Sequence, residues 1–183
     1  KTDGPLDLRL NPQKGIPASE RLKELSKEEI QGMLVENADE PYAAQIAAAI
    51  SREQKRGNAM ETTASLRQIV RQVLSGLPAG EKEEAERKTC QRVFQAVRID
   101  VNSEFEVLDA FLSKLPAVLK PGGRAAVLTF HSGEDRMVKR SFKQLAGAGV
   151  YRETARDVIR PTAGECSRNG RARPAKLRWA IRG

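Results

Sequence analysis

The sequence predicts a chain of mixed class: a helical bundle followed by an α/β half. Three observations carry this. Apolar residues recur at helical spacing from residue 17 to residue 77. A charged, apolar-poor stretch, LPAGEKEEAERKTCQR, then divides the chain. Beyond it, helix, turn, short apolar run and helix follow one another, the alternation of an α/β architecture. The expected boundary separates a helical part, 1–93, from an α/β part, 94–183. A chain of 183 residues suffices for one core with an annex.

In the first part, ERLKELSKEEIQGMLV places Leu22, Leu25, Ile30, Met33 and Leu34 at helical spacings. Ser26 followed by Glu29 is a capping-box pattern that starts a second helix. After Pro41, the Ala-rich YAAQIAAAISREQKR predicts a helix ending near Gly57. Thr62 or Thr63 caps the next, in which Leu66, Ile69, Val70, Val73 and Leu74 share one face and Gly76 ends the run. The dividing stretch itself is a linker or a solvated helix face.

In the second part, Ser103 and Glu106 begin a helix with Phe105, Leu108, Phe111, Leu112, Leu115 and Leu119 inward. Pro116 should kink that helix or tighten its last turn. KPGG stops it, RAAVLTF has strand length, and GEDRMVKRSFKQL reads as a helix with acids in its first turn. Helix, turn, strand, helix is half of a doubly wound sheet. Near the end, Ala175, Leu177, Trp179 and Ile181 alternate with Lys176, Arg178 and Arg182, predicting a strand with one buried and one basic face.

Thirty-two Lys and Arg against 24 Asp and Glu give a net charge of +8, which favours a polyanionic partner. Cys90 and Cys166 lie outside any CxxC or Cys/His spacing, so neither a zinc site nor a disulfide framework is expected, and a reducing cytoplasm suits them. No apolar run approaches the ~18 residues of a membrane span. The opening residues have neither signal-peptide nor transit-peptide character. GxGxxG, Walker, HExxH and GxSxG patterns are all missing, and aromatics are only 4%, too few for a base-stacking platform.

Three clusters remain as candidate sites. In an open α/β sheet, ligands bind beyond the carboxyl ends of strands, where TFHSGEDRMVK places His131, Ser132, Gly133, Glu134 and Asp135. His131, the only histidine, can donate, accept or titrate near neutrality. The bland alternative makes Ser132 an N-cap, the acids complements of a helix dipole, and His131 a half-buried strand end. FQAVRIDVNSE carries Arg98 and Asn102, with Asn102 as a cap and Arg98 as a surface base in the bland reading. SRNGRARPAKLR places Arg168, Arg171, Arg173, Lys176 and Arg178 in a loop running into a strand, which is either a phosphate-contacting element or a solvated charge run.

Together these phrases resemble the MraW/RsmH family of S-adenosylmethionine-dependent 16S rRNA cytosine-N4 methyltransferases. Its members show DGPLDMRM, FQALRIxVNxEL, GGRlaVxSFHSLEDRxVK and NPRARSAKLR phrases. This chain has DGPLDLRL at 3–10, FQAVRIDVNSEF at 94–105, PGGRAAVLTFHSGEDRMVK at 121–139 and NGRARPAKLR at 169–178, in the same order. Gly133 stands where the family usually has Leu, Gly170 where it has Pro, and Pro174 where it has Ser. KTCQRV replaces ATRT, and NADEPYAAQIAAAI replaces yGEExxAxxIAxxI, as in a divergent branch or paralogue.

The resemblance implies the carboxyl-terminal half of a Rossmann-like methyltransferase domain plus an all-helical insertion domain. It implies His131, Ser132 and Asp135 as groups orienting an extruded cytosine, and Arg98, Asn102, Arg171, Arg173, Lys176 and Arg178 as RNA-binding residues. The cofactor would be S-adenosylmethionine, whose main binding loop belongs to an amino-terminal half not in these residues. The expected partner is 16S rRNA in the small ribosomal subunit, in the cytoplasm. The chain alone is then expected to be inactive, and its incomplete sheet to expose an apolar edge that favours a homodimer. The alternative is a non-catalytic RNA-binding or ribosome-associating module.

Overall fold

The computed structural model describes residues 3–58 and 60–183. They form two compact units, Lys1–Ser103 and Glu104–Gly183.

The first unit is helical: α1 (Ala18–Glu24), α2 (Lys27–Ala38), α3 (Ala43–Lys55), α4 (Thr63–Val73) and α5 (Ala79–Val101). Local signals fix its ends. Ser26 and Glu29 close a reciprocal capping box at the start of α2, and Thr62 does the same with Ser65 at α4. Leu22, Ile30, Leu34, Ile46, Ile50, Leu66 and Val70 are fully buried in one core. The dividing stretch is the first half of α5, so the expected boundary at 93/94 falls inside that helix. Its charged residues stay outside until Thr89, after which Val93, Ala96 and Val97 complete the core. Glu40 is buried, and it accepts from the Arg92 Nε at 2.6 Å and from the Tyr42 N–H at 2.9 Å.

The opening phrase of the chain is latched to this bundle. The Leu6 side chain is fully buried, and its N–H donates to the Glu61 carbonyl at 2.8 Å. Asp3 accepts from the Ala64 N–H at 2.8 Å, an anchor at the start of α4 that holds its carboxyl below the usual range.

The second unit comprises α6 (Glu104–Val118), β1 (Arg124–Thr129), α7 (Ser132–Gly147), β2 (Tyr151–Thr154), α8 (Ala163–Arg168), a 3-10 turn at Gly170–Ala172 and β3 (Lys176–Arg182). Pro116 sits inside α6 without ending it. The sheet order is β1-β3-β2, and both pairings are antiparallel, with Arg124 opposite Ile181 and Thr129 opposite Lys176. This corrects the purely doubly wound expectation. The strands of the β1-α7-β2 crossover do run parallel to each other, but the chain's last strand returns between them and takes up their facing edges.

A second correction concerns β3. Both faces are covered in part: Arg178 and Ala180 on the face expected to be basic are buried, as are Ala175 and Ile181 on the expected apolar face, whereas Leu177 and Trp179 are only half-buried. Leu112 and Leu115 of α6, Val138 and Phe142 of α7, Tyr151 and Ala180 make the core of this unit. Among the described residues β1 pairs with β3 only, and Leu128 and Phe130 beside its other edge are each 52% exposed.

Candidate functional site

The turn from β1 into α7 is closed by its own side chains. His131 has the extended backbone of an N-cap (φ −138°, ψ 167°), and its Nδ1 accepts from the Glu134 N–H at 3.4 Å. In return the Glu134 carboxylate accepts from the Phe130 N–H at 2.9 Å and the His131 N–H at 3.4 Å. The cap is therefore His131, not Ser132, which is the exposed first residue of the helix. A nitrogen lone pair on a ring can reach the third amide much as a serine oxygen does. Because Nδ1 accepts, a neutral imidazole carries its proton on Nε2. Nε2 lies 3.5 Å from the Glu134 carboxylate.

Glu104, the first residue of α6, completes a trio. One ligand atom each of Glu104, His131 and Glu134 lie within 4.8 Å of one another. Nε2 is buried among these carboxylates, so the trio is a polar cluster where β1 meets α7. The ring of Phe105 packs beside His131, centroids 5.8 Å apart and tilted by 47°.

Asp135 faces the other way. It is buried and takes two hydrogen bonds from Arg178, Nε to Oδ1 at 2.7 Å and a terminal nitrogen to Oδ2 at 3.2 Å. Lys176 Nζ lies 4.0 Å from Oδ2. The Arg178 hydrogen bond holds the Asp135 carboxyl below its ordinary range, against the opposing effect of desolvation. Thus α7 is tied to β3 by an inward ion pair, and Arg178 is part of that tie rather than of an open basic cluster.

Arg171 and Arg173 are presented outward. Asn169 Oδ1 accepts from the Arg171 N–H at 3.1 Å, while Ala172, buried between the exposed Arg171 and Arg173, and the buried Ala175 after them pin the loop. Arg98 and Asn102 belong to the first unit. Asn102 ends α5, and its side-chain amide donates to the Leu8 carbonyl at 2.9 Å and the Arg98 carbonyl at 2.8 Å, while its oxygen accepts from the Leu10 N–H at 2.8 Å. That grip coincides with a left-handed backbone at Leu8 (φ 61°) and with Asp7 chelating Arg9 at 2.7 and 2.8 Å. Sequence reasoning missed Glu104 and Phe105 as members of the site. Both end the VNSEF phrase, where Phe105 was read only as a core residue and Glu104 was given no role.

Charge is divided unequally. The first unit holds sixteen Lys and Arg against sixteen Asp and Glu, whereas the second holds sixteen against eight. The whole excess of +8 therefore sits in the second unit, with the histidine turn and the arginine loop.

The family model described as the MraW methylase family matches residues 1–182. The chain belongs to that family. It is 63% identical over 182 residues to the "Ribosomal RNA small subunit methyltransferase H 1" of Lachnoclostridium phytofermentans, which covers all of this chain and 50% of that protein. It is 59% identical to the protein of the same name from Agathobacter rectalis, covering 52% of it. With the "Ribosomal RNA small subunit methyltransferase H" of Elusimicrobium minutum the identity is 39%, over 97% of this chain and 58% of that protein. The chain spans about half the length of the curated relatives it matches. No described helix is long and apolar enough to cross a membrane.

Proposed function

We propose that this chain supplies the RNA-facing and base-orienting part of a methyltransferase acting on the exocyclic N4 of a cytosine in small-subunit rRNA. The observation that carries the reading is the polar trio at the end of β1, set in the unit that holds the entire excess of positive charge. An amine that gains a methyl group must present its lone pair and shed a proton. Carboxylates that accept its N–H bonds do the first and receive the second. Glu104 and Glu134 are such acceptors, and His131 holds Glu134 in place through the capping box at the start of α7. Ser132 offers an exposed hydroxyl beside them.

Asp135 acts at one remove, as a positioning residue that holds Arg178 and Lys176 at the start of β3. Arg171 and Arg173 contact phosphates, and Arg98 and Asn102 are a further RNA-binding pair, presented by the first unit.

S-adenosylmethionine, which the family implies, supplies the methyl group when bound. The described residues do not fit as its main cradle. At the turn from β1 into α7 the Phe130, His131 and Glu134 amides are already occupied by its own side chains. By itself the chain is then an RNA-binding half without methyl transfer.

The test is rRNA binding by this chain across a salt series. Reversing both arginines, R171E with R173E, is expected to weaken binding and to flatten the dependence of log K on log salt by about 2. An unchanged slope would remove the phosphate-contacting role.

A further inference from the structure

We propose that Phe105 and Gly133 form a matched knob and hole that seats the His131 imidazole, which makes Phe105 a positioning residue for the site. This rests on the role assigned to His131 above. Gly133 is buried at the second position of α7. A Cβ added there would lie 2.6 Å from Phe105 Cζ, closer than real Cβ contacts come, and a tight 3.2 Å from Phe105 Cε1. The glycine is there for space: the ring of Phe105 fills the volume that a side chain at 133 would need.

The family phrases have Leu at both positions, in VNxEL and in HSLED. Here one residue is larger and its neighbour has no side chain, so the ring occupies space that a leucine at 133 would take. The exchange has a chemical consequence because of what borders it. The same added Cβ would sit 3.2 Å from His131 Nδ1, the atom that caps α7. Phe105 also follows Glu104 directly, so where the ring seats decides where that carboxylate is presented. One lock therefore sets the imidazole's tautomer, through its cap, and the reach of one acceptor. A planar aromatic wall in place of branched aliphatic side chains also stiffens the pocket beside the imidazole.

The experiment is a double-mutant cycle of Phe105→Leu and Gly133→Leu in the intact protein, with Gly133→Ala as a milder partner should the leucine variant fail to fold. His131 is the only histidine of these 183 residues, and its imidazole nitrogen resonances are assigned by their loss in His131→Gln. G133L alone is expected to lower the unfolding temperature by about 5 °C and to shift the ring nitrogens away from an Nε2–H pattern. Adding F105L should recover at least half of both changes. Additive losses, or ring nitrogens indifferent to all the variants, would overturn the lock. Methyl transfer is measured separately as kcat and KM. A cycle that couples in the spectra but leaves kcat untouched would sink the role given to His131 while leaving the lock intact.

Discussion

The two units solve the problem of buried charge differently. In the first, Glu40 is buried and is held by Arg92 and a backbone amide at the junction of α2 and α3, so the pair reinforces a largely apolar core. In the second, Asp135 and Arg178 join a helix to a central strand in a much smaller core, with surplus basic residues around them. The same chemistry is thus auxiliary in the neutral unit and close to a keystone in the basic one. What separates them is how much apolar contact surrounds the pair, not the pair itself.

The largest effect that sharpens this contrast comes from Asp135→Ala. It leaves the Arg178 guanidinium buried without its partner, and unfolding by denaturant should show a loss of about 3 kcal/mol, confined to the second unit's amides in hydrogen exchange. A loss spread evenly over both units would end the distinction. Next comes Asn102→Ala in the first unit. Removing three hydrogen bonds at the end of α5 should cost about 1–3 kcal/mol and accelerate exchange of the Leu10 amide far more than that of the α2 core.

The smallest effect is on acid stability. The folded-state pKa of Asp135 lies below its ordinary 3.8, so its contribution is fully present above that value and disappears as pH falls through the folded value. The second unit should therefore lose stability as pH drops below about 4, and Asp135→Asn should flatten that acid limb. An acid limb unaltered in the variant would assign it to other carboxylates.

Much of the first unit was legible because its signals are local. The Ser26–Glu29 capping box and the apolar face of α4 are written within a few residues of where they act. The α5 helix was harder, since its first half is charged and its second half alone is packed. In the second unit β1 and β3 show as apolar or alternating runs, but β2 does not. Its sequence, YRET, contributes only Tyr151 to the core, where the ring meets Phe142 edge-on at 5.5 Å, and it is a strand because β3 is there to pair with it. The inward side of Arg178 was equally hidden, because alternation shows that two faces differ but not which one α7 covers. At the candidate site the histidine's place at a strand end was readable. Its capping role and its company, Glu104 and Phe105, come from tertiary packing that no spacing rule records.

The grip of Asn102 on Leu8 and Leu10 depends on an amide having one end that gives and one that takes. Asparagine and aspartate differ there by a single NH2 for an oxygen. Hydrolysis of that amide would set a carboxylate against the Leu8 and Arg98 carbonyl oxygens, turning two attractions into two repulsions while leaving the shape unchanged. The hold on the DGPLDLRL segment is therefore exposed to chemical ageing of one side chain, and a preparation could lose it without any change in fold or in mass beyond one dalton.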